Sequence, residues 1–298
     1  MQENEKLQNT KTEEKGKKLL SPKLDVIFQA LFGEVGNEKI TKSFLEAILG
    51  RKIEEVDLSG NIVLRRENLE DKMGVLDVLA KLNDEEYCNI EMQMVERDKL
   101  LERILYYWAR VYTRNLKKGK DYIKLQKTIE VLIVDFEIKE LKDLEYHSKW
   151  KIIEEKYKKH ILTEDLEIHI IMLPKIKKLT PQESKEELVK WLNFIEEPES
   201  EKVGQYMKEN KEIKEAKEKL QVMSEDERMQ KLAELREKAI MDEKAIERFG
   251  IKKGIEEGRK KGRQETLKET AKKMKEEGLD IELIEKITNL TKEEILTL

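Results

Sequence analysis

GVLDVLAKLNDEEYCNIEMQM (74–94) reads as two apolar strands joined by a polar turn, each with a carboxylate set into it. Side chains on a strand alternate between its two faces. In the first strand, 74–82, Leu76, Val78, Ala80 and Leu82 share one face, and Asp77, Leu79 and Lys81 take the other. In the second, 87–94, Cys88, Ile90, Met92 and Met94 point one way and Asn89, Glu91 and Gln93 the other. A carboxylate within a buried strand carries a desolvation cost unless it is paired or binds a cation. Two hard oxygen donors facing one cleft suit Mg²⁺, which keeps several waters and accepts substrate phosphate oxygens. A metal held in this way activates water and stabilises charge on a phosphodiester. Asp77 and Glu91 are therefore the candidate metal ligands, with Gln93 beside Glu91. The turn sets a condition. Regular pairing puts both acids on one face only if the turn holds an odd number of residues, such as 83–85, or if the strand bulges. A two-residue turn of Asp84 and Glu85 would put them on opposite faces. The competing reading is that isolated acids on half-exposed strands simply face solvent.

The next segment bears on that choice. From Arg103 to Lys127 there are eight basic residues, Arg103, Arg110, Arg114, Lys117, Lys118, Lys120, Lys124 and Lys127, against one acid, Asp121. Helical spacing places Arg103, Arg110, Arg114 and Lys117 along one side with Tyr107 among them, and Ile104, Leu105, Trp108, Val111 and Tyr112 toward a core. An acidic pair beside a basic, tyrosine-bearing helix is the layout expected for a phosphodiester substrate. Arg103, Tyr107, Arg110 and Arg114 are the candidate contacts to a phosphodiester backbone, DNA if the resemblance given below holds. A solvated basic face is the alternative in so charged a chain.

Working outward, 1–18 is polar and charged and reads as a disordered tail. Helical spacing begins at Ser21 with Leu24, Ile27, Phe28, Leu31 and Phe32 and stops at Gly33, and a second helix covers KITKSFLEAILG. A strand is expected around IVLRR, before the carboxylate hairpin. TIEVLIVDF (128–136) is a nearly continuous apolar run suited to a central strand covered on both faces, and LEIHIIML (166–173) is a further strand. After Pro181 the strand signals stop, and Lys and Glu alternate over helical stretches with a sparse apolar stripe. The expected division is a domain over 19–180, a charged helical region over 181–248 and a helical tail over 249–298.

These pieces together resemble the PD-(D/E)xK nuclease-family transposases, also called Rpn recombination-promoting nucleases. The resemblance rests on SPKLDVIFQALFG, GVLDVLAK, NIEMQM, RILYYWARVYTRNLKKGKDY and TIEVLIVDF in that order, and on the closing GLDIELIEKITNLTKEEI. It implies an α/β fold: a restriction-endonuclease-like core, a mixed central sheet flanked by helices, followed by a largely α-helical C-terminal region. It also implies a metal-dependent DNA endonuclease using Mg²⁺ or Mn²⁺ on double-stranded DNA, in recombination or transposition-like events. By position, Asp77 is the motif aspartate, Glu91 the second acidic ligand, and Gln93 stands where the motif has lysine. A neutral glutamine can hydrogen-bond but brings no positive charge. Lys81 shares the Asp77 face and is a candidate for the displaced charge. Asp25 matches the family's opening acidic position, and equally reads as a first-turn acid facing the helix dipole. The contrasting reading is a non-catalytic DNA-binding or assembly protein on a nuclease fold. An RNA-directed nuclease has the same phosphate chemistry.

Composition narrows the classes. The 298 residues are 42% charged, with 60 basic against 64 acidic side chains and a net charge of −4, so a uniformly basic nucleic-acid binder is excluded. The single Cys88 excludes a disulfide framework and a cysteine zinc site, and its apolar face marks it as a buried thiol. His147, His160 and His169 show no metal-ligand spacing. No span of membrane-crossing length and no signal-peptide core is present, so a cytoplasmic protein is expected. Gly250, Gly254, Gly258 and Gly262 recur every four residues. Either they let two helices approach closely in a homodimer, or they mark a flexible, partly helical connector. Gly278 then reads as a helix stop, Asp280 as a cap, and Thr291 with Glu294 as a capping box in a helix-turn-helix-like end.

Overall fold

A computed structural model of the chain describes residues 18–60, 77–114, 116, 122–180 and 182–298. Residues 1–17, the IVLRR strand, Leu76, and Lys117, Lys118 and Lys120 lie outside the described residues. Six strands form one mixed sheet in the order β1-β2-β3-β4-β6-β5. They are β1 (Val56–Asp57), β2 (Val78–Leu82), β3 (Glu86–Gln93), β4 (Lys127–Val134), β5 (His147–Trp150) and β6 (Leu166–Met172). The strands β3, β4 and β6 run parallel, with antiparallel β1, β2 and β5 on the flanks. Apart from Lys127, β4 and β6 are buried throughout, as their unbroken apolar runs require of central strands.

The hairpin meets the parity condition. Leu82 faces Glu86 and Val78 faces Ile90, so the turn is Asn83, Asp84 and Glu85. Asn83 and Asp84 both take the left-handed conformation, with φ of 51° and 62°, a region that Asn and Asp tolerate better than other non-glycine residues. With an odd turn the register puts Asp77, Asn89, Glu91 and Gln93 on the same face, and Val78, Ala80, Cys88, Ile90 and Met92 on the other.

The apolar face carries the main core. It is covered by α1 (Asp25–Phe32), α2 (Glu38–Leu49), α4 (Glu187–Glu196), α5 (Glu201–Glu209) and α6 (Lys211–Glu225). The carboxylate face is covered by α3 (Leu100–Thr113), whose Leu100 and Ile104 pack on Leu132 and Val134 of β4 and on β6. The change of composition near 180–200 is not the end of the core. Trp191 of α4 is fully buried, with its ring 5.8 Å from Phe32 and 5.6 Å from Phe44. On α6 only a narrow stripe of Ile213, Ala216 and Leu220 docks, which is why the segment looks polar in sequence. One compact unit runs to Ile240, and a second covers Met241–Leu298.

The helix α7 (Glu227–Glu276) contributes its first turns to the first unit and the rest to the second. Its glycines sit in continuous helix, not in an irregular connector, and beyond the helix's own neighbouring backbone no described atom lies within 4 Å of where a Cβ would be at Gly250, Gly254, Gly258 or Gly262. In the second unit α8 (Ile281–Thr288) and α9 (Lys292–Thr297) bury Ile284 and Ile295 against Ala271 and Leu290. Gly278 has a φ of 79°, Asp280 caps α8 and Thr291 with Glu294 makes a capping box. Among the described residues no helix is long and apolar enough to cross a membrane.

Candidate active site

Glu91 and Gln93 lie at the C-terminal end of β3, where open α/β sheets place their ligand crevices. Asp77 stands just before β2, where the β2 ladder ends. Its Oδ2 accepts a 2.7 Å hydrogen bond from the Met92 backbone N–H, which fixes the carboxylate in place. Asp77 is 9% exposed and Glu91 5%. Gln93 reaches back, its Nε2 3.4 Å from Glu91 Oε2.

A third carboxylate belongs to this group. Glu130 sits opposite Asn89 in the β3–β4 register and is fully buried. The Asn89 amide nitrogen donates to Glu130 Oε1 at 2.8 Å and lies 3.4 Å from Glu91 Oε1, bridging the two acids. Asn89 Oδ1 and Glu130 Oε2 are buried without a hydrogen-bond partner among the described residues. Glu130 was legible by the rule that singled out Asp77, because it is an acid inside an apolar strand, but the length of the TIEVLIVDF run hid it. Glu91, Gln93, Glu130 and Leu132 on the sheet, with Leu100, Arg103, Ile104 and Tyr107 of α3, line a cleft of about 10 Å³. That is room for roughly one water.

Burial of like charges raises proton affinity throughout. For Asp77, burial pushes the carboxyl well above its usual range, and the charges of Glu91 and Asp25 add to it against the Met92 hydrogen bond and Arg236. For Glu91, burial raises the value to about 7, opposed by the Asn89 hydrogen bond, the Arg103 charge, Gln93 and Arg97. Glu130 is also pushed well up, by burial and then by Glu91. Clustered acids of raised proton affinity, two of which (Glu91 and Glu130) line the cleft, make this the candidate functional site.

The remaining candidates are placed as follows. Asp25 opens α1 and accepts from its neighbour Val26 N–H, and it also pairs with Arg236, a partner the sequence did not suggest. Lys81 is not brought to the acids: it ion-pairs with Asp84 in the turn at 2.5 Å. Arg103 lines the cleft and its Nη2 donates to Tyr107 Oη at 3.0 Å. Tyr107 is 9% exposed and packs with Leu79 and Val111, whereas Leu105 is 49% exposed, so the helix is rotated from the expected facing. The apolar stripe runs through Leu100, Ile104, Tyr107 and Val111. Arg110 lies over the Tyr106 ring, and Arg114 ends α3. Lys127 binds Glu167 at 3.1 Å and takes no part in the cleft. Cys88 is buried, and burial pushes its thiol up, which makes it inert. His147 and His169 meet at 2.8 Å across β5 and β6, and His169 binds Glu167, an alignment that spacing alone did not reveal.

Among the described residues no group of three or more His, Cys, Asp or Glu side chains converges to hold a metal ion. Asp77 and Glu91 are two, and Mg²⁺ characteristically takes one or two carboxylates plus water and substrate oxygens. The hard oxygen donors of Asp77 and Glu91, two acids that resist ionising together, fit a divalent cation.

A family model described as PD-(D/E)XK nuclease family transposase matches residues 22–248. No curated protein and no solved structure matches the chain.

Proposed function

The chain belongs to the PD-(D/E)XK nuclease family transposases, and from that premise we propose that it is a divalent-metal-dependent endonuclease hydrolysing phosphodiester bonds in double-stranded DNA. Recombination or transposition-like cutting is the role that fits such an activity, and Mg²⁺, or Mn²⁺ in its place, is the proposed cofactor. The observation that carries the reading is the hairpin register, which puts Asp77 and Glu91 on one buried face beneath a helix bearing Arg103 and Arg110.

The Asp77 carboxylate is held by the Met92 N–H and Glu91 is flanked by Asn89 and Gln93, so both acids are oriented before any ligand arrives. Asp77 and Glu91 would hold a divalent ion there, which would supply activation of water and offset charge building on the phosphate. Gln93 orients that water or a phosphate oxygen through its amide, as a neutral donor. Arg103 at the cleft and Arg110 and Arg114 farther along α3 bind the DNA backbone. Tyr107 acts from below, its hydroxyl accepting from Arg103 and fixing the guanidinium.

The test is plasmid nicking with Mg²⁺ or Mn²⁺, comparing wild type with Asp77→Ala and Glu91→Ala. Metal-dependent cleavage by wild type alone is expected. Wild-type protein that binds DNA yet cleaves no better than the double variant would turn the reading to a non-catalytic DNA-binding protein. Equal cleavage by every variant would identify a contaminating nuclease.

A further inference from the structure

The stretch KIIEEKYKKHILTE (151–164) leaves β5 at the edge of the sheet and returns into β6 as a small hairpin. Ile153 pairs with Ile161, Leu162 N–H donates to the Ile152 carbonyl at 3.0 Å, and Glu154 N–H donates to the His160 carbonyl at 2.9 Å. At the base Lys151 binds Glu164 at 2.5 Å. At the tip the Glu154 carboxylate accepts the Tyr157 N–H, which commits that acid to the turn. The Tyr157 ring meets Lys156, whose Nζ is 5.2 Å from its centroid, and His160, edge-on at 6.5 Å. Lys156, Lys158 and Lys159 are exposed and make no ion pair among the described residues, and Glu155 is the one tip acid left to offset them.

Helix α3 leads from the cleft to the base of this hairpin. Its first turns line the cleft through Leu100, Arg103 and Ile104, beside Gln93 at the C-terminal end of β3. Its later turns lie at the opposite end of the strands, where Trp108 Nε1 donates to the Thr128 carbonyl at 3.0 Å and Tyr112 Oη donates to Asp165 Oδ2 at 2.8 Å. Asp165 closes the hairpin onto the sheet, its carbonyl accepting from Thr128 N–H at 2.9 Å. Arg103, Arg110 and Arg114 recur at spacings of seven and four on one face of α3. The row therefore starts at the acids and ends at the helical turn that touches the hairpin base. It covers about 16 Å of helix, roughly five phosphate steps of a DNA strand.

We propose that the 151–164 hairpin is a second grip on the phosphodiester backbone of duplex DNA, with Lys156, Lys158 and Lys159 extending the arginine row beyond α3 and holding the duplex at a fixed distance from the cleft. This rests on the DNA-directed reading of the Asp77–Glu91 site. Like charges gathered at one exposed tip repel one another, and a polyanion that displaces their counterions relieves the repulsion. Ammonium groups meet phosphates as point charges, without the fork geometry of arginine, so this contact positions any sequence alike.

The experiment uses the full chain, with duplex binding measured by fluorescence anisotropy in Ca²⁺ over a range of salt and plasmid nicking measured in Mg²⁺. The triple variant Lys156→Ala, Lys158→Ala and Lys159→Ala is expected to weaken binding about tenfold or more near 0.1 M salt, equally for unrelated sequences, to lower the slope of log affinity against log salt by about two to three, and to raise KM for nicking. The corresponding triple arginine variant is expected to bind as wild type, and it covers the case in which the alanine variant does not fold. Lys202→Ala with Lys208→Ala and Lys211→Ala removes the same charge from exposed positions on α5 and α6, which cover the other face of the sheet, and is expected to keep the wild-type affinity and slope. The proposal is overturned if the hairpin alanine variant keeps them too, or if the control loses as much, which would make the effect one of net charge. It is also overturned if the alanine variant binds DNA as wild type but loses a self-associated form in sedimentation velocity, which would assign the hairpin, with its exposed Ile152, Ile161 and Leu162, to a protein contact. Wild-type protein that binds no duplex would sink the DNA reading itself. Wild-type protein that binds but does not nick would sink catalysis alone, because a backbone grip at the hairpin needs none of the acids.

Discussion

The Asn89 amide donates to Glu130 Oε1 at 2.8 Å across the β3–β4 register, directly beside Glu91. One neutral side chain thus separates two buried acids, and a third, Asp77, acts on both. Such an arrangement disfavours ionisation in the folded chain, while in the unfolded chain each acid ionises in its ordinary range. Sites assembled for function commonly cost stability in this way.

Glu130→Gln tests that cost. Burial and the Glu91 charge raise the folded-state proton affinity of Glu130, so the folded state binds more protons than the unfolded state between the two values. The contribution of Glu130 to stability is therefore fully present below about pH 4.5 and is lost as pH rises through its folded-state value. Glutamine keeps the shape and an acceptor for Asn89 without that loss. The variant is expected to melt above wild type at pH 8, with the difference shrinking toward pH 4.5. Thermal melts across that range are the measurement, and a difference that does not change with pH would show that Glu130 does not titrate.

Metal binding should carry the same signature. Glu91, raised to about 7, must lose its proton to ligate a cation. The affinity for Mg²⁺ or Mn²⁺ is expected to fall at least about tenfold per pH unit below pH 7, with one proton released from Glu91 per ion and a further one from Asp77 wherever its raised carboxyl is still protonated. Titration calorimetry in buffers of different ionisation enthalpy counts those protons directly. Binding that does not change between pH 6 and pH 8 would remove Glu91 as a ligand.

Much of this site was legible before any coordinates, for physical reasons. Asp77 and Glu91 stood out because a period of two makes a lone polar residue in an apolar run visible, and the parity of the turn turned that pattern into a condition. Asn83 and Asp84 met it by adopting left-handed backbone. Tyr107 was misplaced because its amphipathic ring was grouped with the arginines; a turn of roughly one residue puts it under the helix with Ile104 and Val111. Arg236 carried no local signal. It is one cation in a Lys- and Glu-rich helix, and only the fold shows that Asp25 faces it. The apparent boundary after Pro181 had the same origin, since α6 docks through a narrow stripe that composition averages away.

Gln93→Lys probes the position that the family resemblance matches to the motif lysine. The Gln93 amide is 3.4 Å from Glu91 Oε2, so a lysine there would bring a positive charge close to that carboxylate. An opposite charge at such range favours the ionised acid. Glu91 should then ionise below its present value of about 7, moving the acid limb of the cleavage–pH profile to lower pH. The profile of rate against pH in Mg²⁺ reads this directly. A faster enzyme with an unmoved acid limb would mean that the lysine acts on the water or phosphate and not through Glu91.

The glycine series on α7 admits an equally direct test. Gly250, Gly254, Gly258 and Gly262 occupy continuous helix, and beyond the helix's own neighbouring backbone none meets a described atom within 4 Å at the position a Cβ would take. Each helical glycine costs roughly 1 kcal/mol relative to alanine, largely through the freedom it retains when unfolded. Gly254→Ala and Gly258→Ala are therefore expected to raise helical content and melting temperature, additively when combined, because nothing among the described residues obstructs the added methyl. Circular dichroism melts measure the gain, and sedimentation velocity on the same samples reports assembly. If the glycines serve instead to bring a second copy's helix close, the methyl groups would collide with it, and the double variant would lose dimer while its isolated helix gained stability.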